Sequence, residues 1–278
     1  MKKLAIINQK GGVAKTTSAI SIASGIAMLK PKSRVLLVEA DAQGNFKTYF
    51  KIKHVDAQIS FGDLLVGGKA NFAPSDLNQV PVGPLTSKLT LDVMMAGPTL
   101  KNADIKMAAF TARESVLKVR LKETTPHWDY VIFDCAPAIN VPNQNVIAAC
   151  DYVLIPSTMD AFSGTGVQAT TTFIEDIEKS LEKKVTILGI LPTIFDKRIA
   201  QSSMYLEAIK DYGLRVLKPI PVDRRVRSAI NNARTVHRYE DSPASVAYLN
   251  TCEELLKKMD GKKAPKPISR MNHEEASL

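Results

Sequence analysis

Five residues near the start of the chain have types and spacing that could do chemistry. Lys10, Gly11, Gly12, Lys15 and Thr16 fall in the stretch LAIINQKGGVAKTTSAI, residues 4 to 20. Glycine lets the backbone approach an anion closely, so that main-chain N–H groups can point inward. A helix starting at Thr16 would add the partial positive charge of its N-terminus. Lys15 is placed to neutralise the β and γ phosphates of a nucleotide, and the Thr16 hydroxyl to bind Mg²⁺. The strict phosphate-loop pattern, G-x-x-x-x-G-K-[ST], nevertheless fails twice, at Gln9 and Ala14. A methyl group at Ala14 fits such a loop only if φ there is negative.

Two carboxylates belong to the same chemistry. Asp134 ends the apolar run YVIF, and Asp41 follows RVLLVEA. The carboxyl ends of buried strands are where open α/β sheets bind ligands. There Asp134 can hold Mg²⁺ through water. Glu39 reads as a strand-end carboxylate with no chemical role.

The elements that must position these groups follow from hydrophobic periodicity. Apolar runs at KLAIIN, RVLLVEA, LTLDVMMAG, DYVIFD, DYVLIP and VTILGILPT predict six strands, with RVLKPIP as a seventh. Helical spacing covers TTSAISIASGIAMLK and, further on, residues 108–123, 166–183, 200–212 and 244–259. Continuous apolar strands alternating with helices predict one α/β domain over residues 1–260, with a mostly parallel twisted sheet covered by helices on both faces. Residues 261–278, GKKAPKPISRMNHEEASL, lack apolar periodicity and read as a flexible tail.

Composition narrows the function classes. No apolar run approaches the roughly 20 residues of a membrane-spanning helix, and the N-terminus does not read as a signal peptide. Three cysteines, Cys135, Cys150 and Cys252, have no metal spacing and argue for a reducing compartment. The four histidines are scattered. A net charge of +9 suits a polyanionic partner. The charge is densest in VDRRVRSAINNARTVHR.

KGGVAKTT resembles the deviant Walker A motif, K-G-G-x-x-K-[ST], of the ParA/MinD family of partitioning and positioning ATPases. RVLLVEADAQGN resembles the ParA segment V-L-L-I-D-x-D-P-Q-G-N. It matches at Asp41, Gln43, Gly44 and Asn45, with Glu39 for the first aspartate and Ala42 for proline. WDYVIFDCAPAI is similar to D-Y-I-I-I-D-C-P-P, with Pro137 kept and Ala136 in place of the other proline; Asn145 matches an asparagine of the helix that follows. SFGDLLVGG, LPTIFDKR and PIPVDRRVRSA extend the likeness over nearly the whole chain.

The resemblance implies a P-loop ATPase domain with ATP and Mg²⁺ as its ligands. Its catalytic set would be Lys10, Lys15 and Asp41. Lys15 would serve its own ATP, Lys10 the ATP of a second subunit, and Asp41 the attacking water. Nucleotide contacts would come from Lys10, Gly11, Gly12, Val13, Ala14, Lys15, Thr16 and Thr17, and from Pro221 and Asp223 in the loop that lines adenine. Thr16 and, through water, Asp134 would hold the metal. The implied partners are a second copy with ATP sandwiched between, DNA of any sequence, and a ParB-like or other adaptor that stimulates hydrolysis. Lys197, Arg198, Arg224, Arg225 and Arg227 are the DNA-binding candidates, and a cytoplasmic, nucleoid-associated location is implied. With the phosphate loop at the very start of the sequence, sequence-specific autorepression is not expected. A MinD-like membrane-surface ATPase is the alternative, but Pro265, Pro267, Glu274 and Glu275 make the tail a poor interfacial helix. A nucleotide-dependent scaffold with negligible turnover is the other. A metabolic enzyme of the same superclass, a nitrogenase-type reductase or a synthetase, ranks behind these, and the reductase would need more cysteine ligands than Cys135.

Overall fold

The computed structural model describes residues 1–52, 59–67, 72–84, 86–123 and 127–261. All but one residue of the expected tail, Gly261, lies outside them. The strands are β1 (Lys2–Ile6), β2 (Val35–Ala40), β3 (Asn78–Pro81), β4 (Thr90–Met94), β5 (Tyr130–Cys135), β6 (Tyr152–Thr158) and β7 (Thr186–Thr193). They form one sheet in the order β3-β4-β2-β5-β1-β6-β7. Every pairing is parallel except β3 with β4. The predicted parallel sheet is therefore present, with an antiparallel edge that periodicity did not show. NQVP is short and half polar, and its proline tolerates only an edge.

Successive strand residues point to opposite faces, and both faces are apolar. Ala5, Leu36, Val38, Val131 and Phe133 face one core, with α3 (Phe61–Val66), α4 (Ala103–Met107), α5 (Val116–Glu123), α6 (Val141–Ala149) and α7 (Ser163–Ser180) over it. Leu4, Ile6, Val35, Leu37 and Ile132 face the other. That face is covered by α1 (Lys15–Leu29), α2 (Asn45–Tyr49) and α10 (Pro243–Asp260). The two remaining α-helices, α8 (Ala200–Ala208) and α9 (Arg224–Asn231), lie between β7 and α10 in the chain.

Two expectations are corrected. RVLKPIP forms no strand, only isolated bridges at Val216 and Pro221. Pro219 and Pro221 have no N–H to donate to a ladder. The helix expected at 108–123 is broken, with only its last turns, α5, α-helical. Ala112 is in the left-handed region at φ 51° and starts a 3₁₀ turn instead.

Candidate nucleotide-binding site

Sheet register brings the chemical residues to one edge. Ile6, the last residue of β1, lies opposite Asp134 of β5, and Asp134 lies opposite Glu39 of β2. The loop after β1, Asp134 and the Asp41 segment after β2 therefore emerge side by side at the carboxyl ends of neighbouring strands.

The loop is fixed by the chain around it. Asn8 is fully buried; its side chain donates to the Pro156 carbonyl at 2.8 Å and accepts from the Lys10 N–H at 2.9 Å. Gln9 N–H donates to Thr170 Oγ1 at 3.1 Å, and Gln9 Nε2 to the Ala169 carbonyl at 3.0 Å, tying the loop to α7. Gly166 permits that contact, since a Cβ there would lie 3.0 Å from Asn8 Oδ1. Gly12 is in the left-handed region at φ 74°. Added Cβ atoms at Gly11 or Gly12 would meet no protein atom within 4 Å. Space is therefore open beside both glycines, as a loop that takes an anion closely needs.

Ala14 departs from expectation. Its φ and ψ are 58° and 33°, in the left-handed region. A methyl group was expected only with negative φ, so the loop carries a strain of roughly 1–2 kcal/mol that glycine would not. Ala14 also occupies the N-cap position of α1 and cannot cap it, and the first turn has no acidic residue. The first N–H groups of α1 consequently have no capping partner among the described residues, an arrangement that suits a phosphate.

Lys15 is buried, and its ammonium donates to the Lys10 carbonyl at 2.8 Å. Burial lowers its pKa, while Asp134, Cys135 and Asp41 oppose the drop. Asp134 is fully buried, and neither carboxylate oxygen has a partner at hydrogen-bonding geometry. Burial pushes it up to about 8; Thr16 and Lys15 favour its ionised form, whereas Asp41 and Glu39 disfavour it. A buried carboxylate with only the Thr16 hydroxyl and the Lys15 charge to favour it is costly. A hydrated cation beside Thr16 would relieve that cost, so the residues present fit Mg²⁺. Among the described residues no three His, Cys, Asp or Glu side chains converge into a metal cage. A Mg²⁺ site is ordinarily built from one or two protein groups plus phosphate and water.

Asp41 is nearly buried, and its Oδ1 accepts from the Gln43 N–H at 2.9 Å. Lys10 points elsewhere. Its ammonium contacts both oxygens of Asp160 at 2.5 Å and Thr158 Oγ1 at 3.1 Å, and lies 5.9 Å from the centre of the exposed Phe162 ring. Burial would raise the Asp160 carboxyl, but hydrogen bonds from Lys10, Thr158 and the Phe162 N–H hold it below the usual range. Asp160 was missed from sequence; it is 150 residues from Lys10 and in no motif.

The late loop reaches the same edge. Thr193 Oγ1 donates to the Val13 carbonyl at 3.1 Å, and Phe195 bridges to Pro221. Asp223 caps α9 by accepting from the Arg225 N–H at 2.8 Å, and its other oxygen accepts from Ser242 Oγ and the Ala244 N–H. Asn145 is an architectural residue, accepting from Leu117 N–H at 3.0 Å and donating to the Arg113 carbonyl at 2.7 Å. Of the basic candidates, Lys197, Arg224 and Arg227 are exposed and form no ion pair with a described residue. Arg198 is paired with Asp196 at 2.6 Å. Arg225 is paired with Asp241 and stacks 6.0 Å from the Tyr239 ring centre. No described helix is long and apolar enough to cross a membrane.

Comparison with known proteins agrees with this geometry. Residues 1–187 match the family model described as an AAA domain. The chain is 30% identical over 257 residues to the sporulation initiation inhibitor protein Soj of Bacillus subtilis, covering 91% of this chain and 98% of Soj. It is 31% identical over 261 residues to the chromosome partitioning protein ParA of Caulobacter vibrioides, covering 92% and 94%. The structure of cobyrinic acid a,c-diamide synthase from Mycobacterium smegmatis with bound ADP and magnesium superposes with a TM-score of 0.75 at 29% identity, covering 96% and 98%. With a match that runs almost from end to end of each relative, the chain belongs to the ParA/Soj family of partition ATPases.

Proposed function

We propose that this chain is an ATP-driven switch: it binds ATP and Mg²⁺, pairs with a second copy across the nucleotides, holds DNA without sequence preference, and lets go after hydrolysis stimulated by an adaptor. Its cargo is a plasmid, a chromosome or another large assembly. The observation that carries the reading is Asp134, a fully buried carboxylate with neither oxygen in a well-formed hydrogen bond, at the edge that also carries Lys15 and Thr16. The magnesium-bound neighbour and the partition relatives support it.

Gly11, Gly12 and the uncapped start of α1 cradle the phosphates, and Lys15 balances their charge. Thr16 and, through water, Asp134 would hold Mg²⁺, which supplies charge neutralisation at the phosphates. Pro221 and Asp223 shape the loop at the base. Asp41 orients the attacking water, a role worth most at the transition state. Lys10 serves the partner's nucleotide, for which it must exchange the Asp160 carboxylate for phosphate. Lys197, Arg224 and Arg227 are the first DNA contacts, since Arg198 and Arg225 already hold acidic partners. Dimerisation doubles this surface and makes the second contact intramolecular.

Phosphate release, measured with and without DNA, tests the reading. Wild type should turn ATP over, Asp41→Ala should bind ATP and dimerise without turnover, and Lys10→Ala should bind ATP but stay monomeric in light scattering. A wild type without turnover in every condition is instead a nucleotide-dependent scaffold. ATP-dependent binding to anionic vesicles, with none to DNA at low salt, makes it a MinD-like membrane protein.

A further inference from the structure

We infer that Glu39 is the residue that positions Asp41 for hydrolysis. The inference rests on the reading of Asp41 as the water-orienting carboxylate. Glu39 is completely buried in β2, opposite Asp134, and its two oxygens have separate tasks. Oε1 accepts from the Phe46 N–H at 2.6 Å, and Oε2 accepts from the Ala96 N–H at 3.0 Å.

The first bond closes the loop that carries Asp41. The chain leaves β2 at Ala40, turns through Gly44 in the left-handed region at φ 70°, and enters α2 at Asn45. Gly44 has no side chain with which to cap α2. Glu39 supplies the missing acceptor from the strand, at the second residue of α2. Both ends of the Asp41 loop are thus joined through one side chain. Inside the ring, the Asp41 carbonyl accepts from Gly44 N–H at 3.1 Å, and Asp41 Oδ1 from Gln43 N–H at 2.9 Å. The second bond anchors the ring to the scaffold. Ala96 follows β4, and its carbonyl accepts from the Gly62 N–H in α3 at 2.9 Å.

A carboxylate carries a cost here, because Glu39 is desolvated and shares its edge with two other acids, Asp41 and Asp134. An apolar side chain would avoid that cost but would leave the Phe46 and Ala96 N–H groups without acceptors. What the carboxylate adds is two acceptors at a fixed separation. Glutamine keeps the length but aims an N–H₂ group at one of the two donors. Aspartate keeps the charge but is shorter by about 1.5 Å, one carbon–carbon bond. Each should free one end of the ring, and small misplacements of a catalytic group are costly in rate.

The test uses the full-length chain with saturating DNA. Glu39→Gln and Glu39→Asp should each lower kcat about tenfold or more while ATP affinity stays within about twofold of wild type. Joining Glu39→Gln to Asp41→Ala should slow turnover no further than Asp41→Ala alone. Amide exchange at Phe46 should speed up in both single variants. The inference is overturned if both single variants keep wild-type kcat, or if kcat and ATP affinity fall together. Circular dichroism checks folding; if Glu39→Gln does not fold, Glu39→Asp is judged by the same criteria. An Asp41→Ala variant as fast as wild type overturns the assignment of Asp41, and this inference with it, and is read in a separate protein.

Discussion

The phosphate loop and the basic surface around α9 are both built from cations, but by opposite means. In the loop, Lys15 is buried and Asn8 fully so, and Asn8, Gln9 and Val13 are each tied to another element. On α9, only Ala229 is buried, and Arg224 and Arg227 project freely. The first region depends on backbone geometry and desolvation, so a single atom out of place is felt. The second depends on summed charge, so no single residue is decisive. A site for one phosphate chain needs the former, and a surface for DNA of any sequence needs only the latter.

The largest expected effect comes from breaking the buried side. Lys15→Ala should weaken ATP binding about a hundredfold or more, because the β and γ charges lose their desolvated counter-ion. Titration calorimetry checks it, and near-normal affinity would show the loop's N–H groups to be sufficient without the lysine.

His237 links the two regions and gives the next effect. It follows α9, and its Nε2 donates to the Ser21 carbonyl of α1 at 2.8 Å while Nδ1 accepts from Ser245 of α10 at 3.0 Å. Burial lowers its pKa to about 4 from the ordinary 6.5, with the Ser21 bond opposing the shift. The folded imidazole thus stays neutral while the unfolded one takes up a proton below 6.5. The stabilisation is complete above pH 6.5 and is lost as pH falls toward 4, reaching about 3 kcal/mol at 1.36 kcal/mol per pH unit. Denaturation midpoints at pH 7 and pH 4.5 measure it against His237→Gln, whose slope over this range should be shallower. An equal slope would assign the acid sensitivity to carboxylates.

The basic surface should respond more gradually. Replacing Arg224, Arg225 and Arg227 together by Ala should weaken DNA binding in ATP by about tenfold at low salt and reduce the salt slope by about 0.9 per lost phosphate contact. Arg225 should account for the smallest share, being paired with Asp241. ATP affinity is measured in the same variant, because α9 follows Pro221 and Asp223 directly. Wild-type DNA affinity with intact ATP binding would move the surface to Lys197 and its neighbours.

The same contrast explains what sequence reasoning reached. The apolar runs of β1, β2 and β5 and the glycines at 11 and 12 encode locally what they do, so the sheet, loop and strand-end acids were legible. Asp160 was not, because its tie to Lys10 exists only after β6 is laid beside β1. The burial of Glu39 was not legible, since the pattern of a strand-end acid is the same whether its oxygens meet water or two buried N–H groups. The false seventh strand shows the converse. Val216, Leu217 and Ile220 have the right character, but the prolines among them withhold the donors.

The smallest effect sharpens the comparison most. Ala14 is at φ 58° and ψ 33°, where a Cβ meets its own backbone and glycine does not. Ala14→Gly removes that strain but adds freedom to the unfolded chain, which offsets part of the gain. The net should be a stabilisation of about 1 kcal/mol, seen as a rise of about 2 °C in Tm for a chain of this size. Arg224→Ala on the exposed helix should move Tm by much less, since surface substitutions away from special backbone positions stay within about 0.5 kcal/mol. A lower Tm for Ala14→Gly would mean that the methyl makes packing contacts worth more than the strain. The loop would then be held by its side chains as well as by its backbone, and the distinction between the two regions would rest on burial alone.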